Sequence, residues 1–445
     1  MNYKEDFVAA IDIGTTKIVA IVGKRKENGK IEILGISKTA SKGVKRGVVL
    51  NIEEAVSSIE KTVEDVQFNI GKEIKNVYVG IAGQHIKSIK NRGYINRDSY
   101  DDEITRADID ALIQDMYKIP IDIGEEIIHV LPQSYIVDSE EGVKNPIGMS
   151  GKRVEANFHI VIGQIASARN IGKCISKAGL KLNQLILEPL ASSSAVLTND
   201  EMEAGVALVD IGGGTTDIAV YYDNIIRHTA VIPFGGDIVT KDIKEGCAIL
   251  QRQAELLKVQ YGSALGDLAK EEEVVSIPGI SGREPKEISF KSLAYIIQSR
   301  MEEILDAVIY EIENSGCFER LGAGVVITGG GALLKHLPAL VKFKTGLDVR
   351  IGYPTEHLTT EAMSEVNHPM YSTSVGLILE GFACIDELRK SDTCKHKEVE
   401  VETEEQEIEE EKIDTKQKEK KTGVGFMSSL KKVFTDIFDE DDAEM

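Results

Sequence analysis

Two segments of this chain echo each other across nearly half its length, and that echo restricts the fold more than any other feature. Phe7 to Val22 reads FVAAIDIGTTKIVAIV, and Gly205 to Tyr222 reads GVALVDIGGGTTDIAVYY. Each is an apolar strand ending in Asp-Ile-Gly, a short Gly/Thr turn and a second strand rich in Ile, Val and Ala, the signature of a hairpin. A pair so widely spaced predicts two homologous halves facing each other rather than a solenoid of short repeats. Helical patterns lie between the strands. Over 52–68 the apolar residues Ile52, Val56, Ile59, Val63 and Val66 step by three or four, and Leu293, Ile296, Ile297, Ile304, Leu305, Val308 and Ile312 do the same from Phe290 to Ile312. Strands alternating with helices predict an α/β chain.

Three Gly-rich turns follow apolar strands: Asp12-Ile-Gly14-Thr15-Thr16-Lys17, Asp210-Ile-Gly212-Gly213-Gly214-Thr215-Thr216-Asp217, and Thr328-Gly329-Gly330-Gly331-Ala332. Glycines let backbone N–H groups approach phosphate oxygens closely, and threonine hydroxyls add donors. Asp12 and Asp210, each at a strand end, are placed to reach a hydrated Mg²⁺, which keeps several waters and takes one or two carboxylates plus phosphates. No G-x-x-x-x-G-K-[ST] loop and no G-x-G-x-x-G fingerprint occurs, which sets aside P-loop ATPases and Rossmann oxidoreductases. One such turn alone would be only a tight hairpin; three in order point to a triphosphate.

Composition narrows the class further. A chain of 445 residues, 42% hydrophobic, has room for several cores. Its five cysteines are scattered without a C-x-x-C pair, which fits isolated thiols in a reducing compartment. A formal charge of -21 argues against sequence-nonspecific nucleic-acid binding. Neither a secretory signal pattern nor a spanning apolar stretch is visible, so a cytoplasmic protein is expected. The acid gathers late: Glu398 to Met445 holds 17 acidic and 7 basic residues. The stretch EVEVETEEQEIEEEKIDTKQKEKKTG has few residues able to build a core and is expected to be a solvated, disordered linker.

After that linker, Phe426, Met427, Leu430, Val433, Phe434, Ile437 and Phe438 share one face of a predicted helix. With Lys416, Lys418, Lys420, Lys421, Lys431 and Lys432 nearby, the stripe fits an amphipathic helix lying in an anionic membrane surface. The acidic finish DEDDAEM shifts the weight from charge to insertion. A helix folding back on its own body or on a partner is the alternative.

The order and spacing of the three turns resemble the actin-like ATPase superfamily, with phosphate-1 at Asp12–Lys17, phosphate-2 at Asp210–Asp217 and the adenosine motif ITGGGALL at Ile327–Leu334. LEPLASSSAVL resembles the first connecting motif. The match implies that Glu188 orients the attacking or a metal-bound water; as a carboxylate before Pro189 it would equally suit a helix N-terminus. Within the superfamily the chain resembles the bacterial cell-division family FtsA over almost its whole length, through AAIDIGTTKIVAIVG, VYVGIAGQHI, VIPFGGDIVTKDI, IQSRMEEIL and VVITGGGALL, and through the tethered amphipathic end.

That resemblance implies an actin-like fold with an FtsA-type insertion. Subdomain 1A would comprise 1–83 and 163–200, closed by 366–390; the inserted subdomain 1C, 84–162; 2A, 201–234 and 317–365; 2B, 235–316. A linker over 391–422 and a membrane-targeting tail over 423–445 would come last. The adenosine side would be lined by Gly235, Gly236, Glu255 and Lys258, although the last two, three apart on a helix, would also make an ordinary surface ion pair. Arg300 matches the position that pairs with the acidic tail peptide of FtsZ, and could equally be a solvated helix arginine. The implied function is ATP- and Mg²⁺-dependent tethering of the FtsZ ring to the inner face of the membrane at the septum, with self-association into filaments and contacts to other division proteins, and at most slow ATP turnover. A pilus-assembly scaffold and a small-molecule kinase of the same superfamily are the rival readings.

Overall fold

The computed structural model describes residues 7–99, 102–270, 272–279, 284–359 and 366–389. The first half opens with β1 (Val8–Ile13), β2 (Lys17–Arg25) and β3 (Ile31–Ala40), followed by the short pair β4 (Val44–Lys45) and β5 (Val48–Val49). Helix α1 (Ile52–Ile70) runs two residues beyond its predicted end. Its start is fixed by Asn51, whose side chain accepts from the N–H groups of Glu53 and Glu54, and its end by Gly71 at φ 64°. Ala55, Ile59, Val63 and Val66 are buried, as the period requires. β6 (Asn76–Ile81) returns parallel to β1, and β11 (Lys181–Leu187) adds outside it.

The second half repeats this plan. Strands β12 (Val206–Ile211), β13 (Thr216–Tyr222) and β14 (Ile225–Ile232) form an antiparallel meander, beside which β17 (Val325–Thr328) and β18 (Val349–Ile351) lie parallel. The strand orders are β11-β6-β1-β2-β3 and β14-β13-β12-β17-β18. Taken from the meander outward they are the same, so the duplicated hairpin belongs to a duplicated sheet. In both halves the Asp-Ile pair ends the central strand, at Ile13 and Ile211.

Between β6 and β11 lies a separate layer. Strands β7 (Lys87–Asn96), β8 (Glu125–Val137), β9 (Glu140–Val143) and β10 (Arg153–Gln164) pair in the order β7-β10-β8-β9. Helix α2 (Arg106–Met116) begins with a capping box between Thr105 and Asp108 and buries Ile109, Leu112 and Met116 against that sheet. Helix α3 (Ile165–Lys177) leads back to the first half, and α4 (Glu188–Val196) and α5 (Asn199–Ala204) cross to the second. There α6 (Gly236–Cys247), α7 (Gln251–Tyr261), the hairpin β15 (Val274–Ile277) with β16 (Lys286–Ser289), and α8 (Phe290–Asn314) form a helical layer, while α9 (Leu337–Thr345) precedes β18. α8 extends two residues past the predicted Ile312. Among the described residues, apolar clusters fill each half, and another, with Phe158 and Leu112 fully buried, fills the inserted layer. The acidic linker and the amphipathic stripe, with Phe426, Met427, Leu430, Val433, Phe434, Ile437 and Phe438, lie outside the described residues.

Candidate functional site

The two Asp-Ile-Gly turns meet tip to tip. A Cβ on Gly213 would strike the Thr16 side chain and one on Gly214 the Thr15 side chain, so only glycine permits this approach. Thr15 Oγ1 accepts the Gly47 N–H at 3.2 Å, and the Gly14 turn closes against the Lys17 carbonyl. Gly235 packs on the Gly212 and Gly213 carbonyls; the N–H groups of Gly236 and Asp237 donate to those carbonyls at 2.9 and 2.8 Å. The third turn closes the far side. Gly329, at φ +82°, lays its backbone on the Asp210 carboxylate, where a side chain would collide.

These turns enclose a cavity of about 430 Å³ between the halves. Thr16, Lys17, Gly212 and Gly213 stand on the floor, Gly330 and Gly331 on one wall, and Gly236, Glu255 and Lys258 on another. Val239, Val259, Met301, Leu333 and Leu334 make its apolar end. A pocket with a polar, glycine-lined end and a greasy end suits a ligand with an anionic head and a flat apolar body. Glu255 and Lys258 face this space and also pair with each other at 2.8 Å; Thr240 Oγ1 donates to Glu255 at 2.5 Å, and Lys258 donates to the Gly236 carbonyl at 3.0 Å. The ion pair and the wall are one network.

Four carboxylates gather beneath the floor. Asp12 and Asp210 are buried, as is Asp217, while Glu188, at the first turn of α4, is half-buried with its side chain against Gly80. Asp12 accepts from Ser374 Oγ at 3.0 Å; Asp210 accepts from Ser192 Oγ at 2.6 Å and Thr373 Oγ1 at 3.2 Å. Asp217 accepts from Thr215 Oγ1 at 3.1 Å through one oxygen, and its other oxygen has no partner. Burial raises Asp12 and Asp210 above the ordinary carboxylate range against the pull of Lys17 and of their hydroxyl donors. Burial, and then the charges of Asp12, Asp217 and Asp210, push Glu188 well up; Asp217 is pushed well up by burial and by Asp210. Lys17 opposes the charge of Asp12, Asp210 and Glu188, and its ammonium also donates to the Met370 carbonyl at 2.7 Å.

A group of buried carboxylates with an orphaned oxygen has the donor chemistry of a hard divalent cation. Among the described residues no three His, Cys, Asp or Glu side chains close on a single point that could hold an ion unaided. Waters and ligand oxygens would have to complete the shell.

The hydroxyls of Ser192, Thr373 and Ser374 are functional candidates that the sequence motifs do not single out, and Asp217, which ends the second motif, is given no role by it. A signal was present: SSS in the middle of a helix and YSTS at the first turn of another place poor helix formers where a side-chain partner must compensate. Arg300 stands apart from the cavity. Its guanidinium grips Asp242 at 2.5 and 3.2 Å and also pairs with Glu303, so it is a paired arginine, not a solvated one.

Comparison with known proteins accounts for this arrangement. A family model described as Cell division protein FtsA matches residues 207–376, and one described as the SHS2 domain inserted in FTSA matches 83–162. Cell division protein FtsA of Pseudomonas aeruginosa is 40% identical, over 84% of this chain and 89% of its own. The Neisseria meningitidis protein of that name is 39% identical, over 85% and 91%, and that of Escherichia coli K12 36%, over 84% and 90%. Among solved structures, the PilM-PilN type IV pilus biogenesis complex matches with a TM-score of 0.58 at 13% identity, over 84% of this chain and 98% of that one. MreB 5 of Spiroplasma citri bound to AMPPNP matches at 0.52 with 16% identity, over 87% and 99%. The structural matches carry the fold alone, which is actin-like. The identities, sustained over most of both chains and over the insertion, place this chain in the FtsA family of cell-division proteins.

Proposed function

We propose that the chain is an ATP-binding, actin-like division protein that holds the FtsZ ring to the inner face of the cytoplasmic membrane at the septum and polymerises there. The observation that carries the nucleotide part is the cavity itself: glycine turns from both halves converge on one polar floor backed by buried carboxylates. The MreB relative of the same fold is bound to AMPPNP. The triphosphate would lie along Gly14, Thr15, Thr16 and Lys17 on one side and Gly212, Gly213, Gly214 and Thr215 on the other. The adenosine would lie against Gly235, Gly236, Glu255, Lys258, Gly329, Gly330 and Gly331. When bound, Mg²⁺ would neutralise the phosphates and, through water, meet Asp12 and Asp210.

Glu188 would orient water at the cleft floor. Burial and the neighbouring carboxylates hold its carboxyl well above the ordinary range, the direction in which a carboxylate becomes a better proton acceptor. Nucleotide is then a conformational ligand that favours the closed arrangement of the halves. The subdomain limits proposed are 1A at 1–83 and 163–200 with 366–390, 1C at 84–162, 2A at 201–234 with 317–365, and 2B at 235–316. The 391–422 linker and the 423–445 tail would supply the reach and the peripheral membrane contact. The FtsZ tail peptide would dock on 2B near Arg300, and other division proteins would bind the chain at the septum.

Calorimetry tests the nucleotide reading. Asp210→Ala should weaken Mg-ATP binding by at least about a hundredfold, and Asp210→Asn, which keeps an acceptor for Ser192 and Thr373, should weaken it comparably because the charge is what matters. Unchanged affinity in both variants would remove the site.

A further inference from the structure

The inserted layer has no place on the cavity wall, yet it touches two strands that lead into the site, β11 before Glu188 and β14 before Gly235. β11 and β14 are edge strands of their sheets, and an edge strand presents backbone groups that no neighbouring strand satisfies. The insertion supplies partners to both. On the first half, His129 of β8 accepts the Leu187 N–H at 3.0 Å through Nε2. Leu187 ends β11 and is the N-cap residue of α4, which has no side-chain cap of its own, and Glu188 is the next residue. On the second half, Gln133 of β8 donates to the Ile226 carbonyl at 2.6 Å, Ser88 of β7 donates to the Thr229 carbonyl at 3.1 Å, and His159 of β10 bonds Thr229 Oγ1 at 2.8 Å. Gln133, His159 and Thr229 are all buried, so these are contacts of an interior and not of a wet rim.

β14 ends at Ile232 and runs through Phe234 into Gly235 and Gly236. Thr216 donates to the Phe234 carbonyl at 2.9 Å, and Gly236 donates to the Gly212 carbonyl. A shift of β14 is therefore passed to the second glycine turn by the Thr216 hydroxyl and the Gly236 N–H. We propose that the inserted layer is a positioning element of the cleft: His129 fixes the turn that presents Glu188, while Gln133 and His159 fix the strand that carries Gly235 and Gly236. His129 can accept only while neutral, and burial holds its imidazole down to about 4, so the bond persists across the physiological range. A partner that engages the outer strands of the insertion would in this way act on the cleft without touching it. The proposal deepens the nucleotide reading above and rests on it for the identity of the ligand.

Hydrogen exchange on the nucleotide-free full-length chain tests the coupling, and release of mant-ATP with Mg²⁺ tests its consequence. In Gln133→Ala/His159→Ala, exchange should rise about tenfold through 234–240 and 211–214, and mant-ATP should dissociate about fivefold faster. His129→Ala should raise exchange at 187–192, and His129→Gln, whose amide oxygen can accept the same N–H, should restore it. Should the double variant fail to fold, Gln133→Leu alone serves, with the same expectation at 234–240. The proposal is overturned if the added exchange stops at Ile232 while both glycine turns keep wild-type protection, or if His129→Gln exchanges as fast as His129→Ala. If mant-ATP does not bind the wild-type chain, the nucleotide reading falls, and the exchange pattern still decides the positioning role.

Discussion

Asp210 shows how much of this site is a matter of single side chains. Its carboxylate takes hydrogen bonds from Ser192 and Thr373, packs under Gly329, and shares the cleft floor with Asp12, Glu188 and Asp217. The aspartates and glycines could be read from the sequence because an Asp-Ile-Gly turn is written in consecutive residues. Their hydroxyl partners could not: Ser374 reaches Asp12 across 362 positions and Thr373 reaches Asp210 across 163. The local sequence marks the hydroxyls as needing a partner but not which carboxylate each one meets. Histidines give a second residue-scale expectation. His159, buried beside His228, is lowered to about 4 from an ordinary value near 6.5. The unfolded chain therefore binds a proton that the folded one refuses, and this contribution to stability is whole above about pH 6.5 and lost progressively toward pH 4. The buried carboxylates act in the opposite sense, since their folded values are raised and protonation relieves them as pH falls. Comparison with a variant isolates the histidine: thermal melts of His159→Gln should lose less Tm between pH 7 and 5 than the wild type. Parallel curves would contradict it.

At the scale of elements, periodicity carried most of the information. The hairpins, α1 and α8 are where spacing placed them, because each buries one face against a large apolar core and its pattern is correspondingly clean. The inserted sheet was legible only as a break in rhythm. β7 pairs with β10 across about 60 residues of sequence, and its many polar positions face solvent on one side, so alternation alone could not give a register. The same blindness to distant pairing hid the Asp242 partner of Arg300. That pair bears on the docking proposal, since an acidic peptide must compete with Asp242 for the guanidinium. Arg300→Glu should weaken FtsZ tail-peptide binding at least about tenfold by fluorescence anisotropy, while Asp242→Asn, which releases the arginine, should not weaken it. Equal affinity in wild type and Arg300→Glu would remove this contact.

Taken whole, the molecule joins a duplicated pair of sheets to a strongly acidic end. No described helix is long and apolar enough to cross a membrane, so the proposed membrane attachment rests on the stripe from Phe426 to Phe438. Truncation at Thr422 should leave the melting temperature of the body within about 2 °C and shift the protein from the pellet to the supernatant in sedimentation with anionic liposomes. Equal sedimentation of both forms would refute the anchor. The duplication itself was visible in two short strings, whereas the shared strand order behind them needed the parallel strands β6 and β17, which resemble each other too little to be matched by eye. That duplication gives the cleft its symmetric pair of glycine turns, the proposed phosphate cradle. A crystal structure of the chain grown with Mg²⁺ and AMPPNP would probe them most directly. Triphosphate density is expected between Thr16–Lys17 and Gly212–Gly213, with a cation facing Asp12 and Asp210 across water. Density for the nucleotide elsewhere, or a cleft left vacant at saturating ligand, would contradict the proposed binding mode.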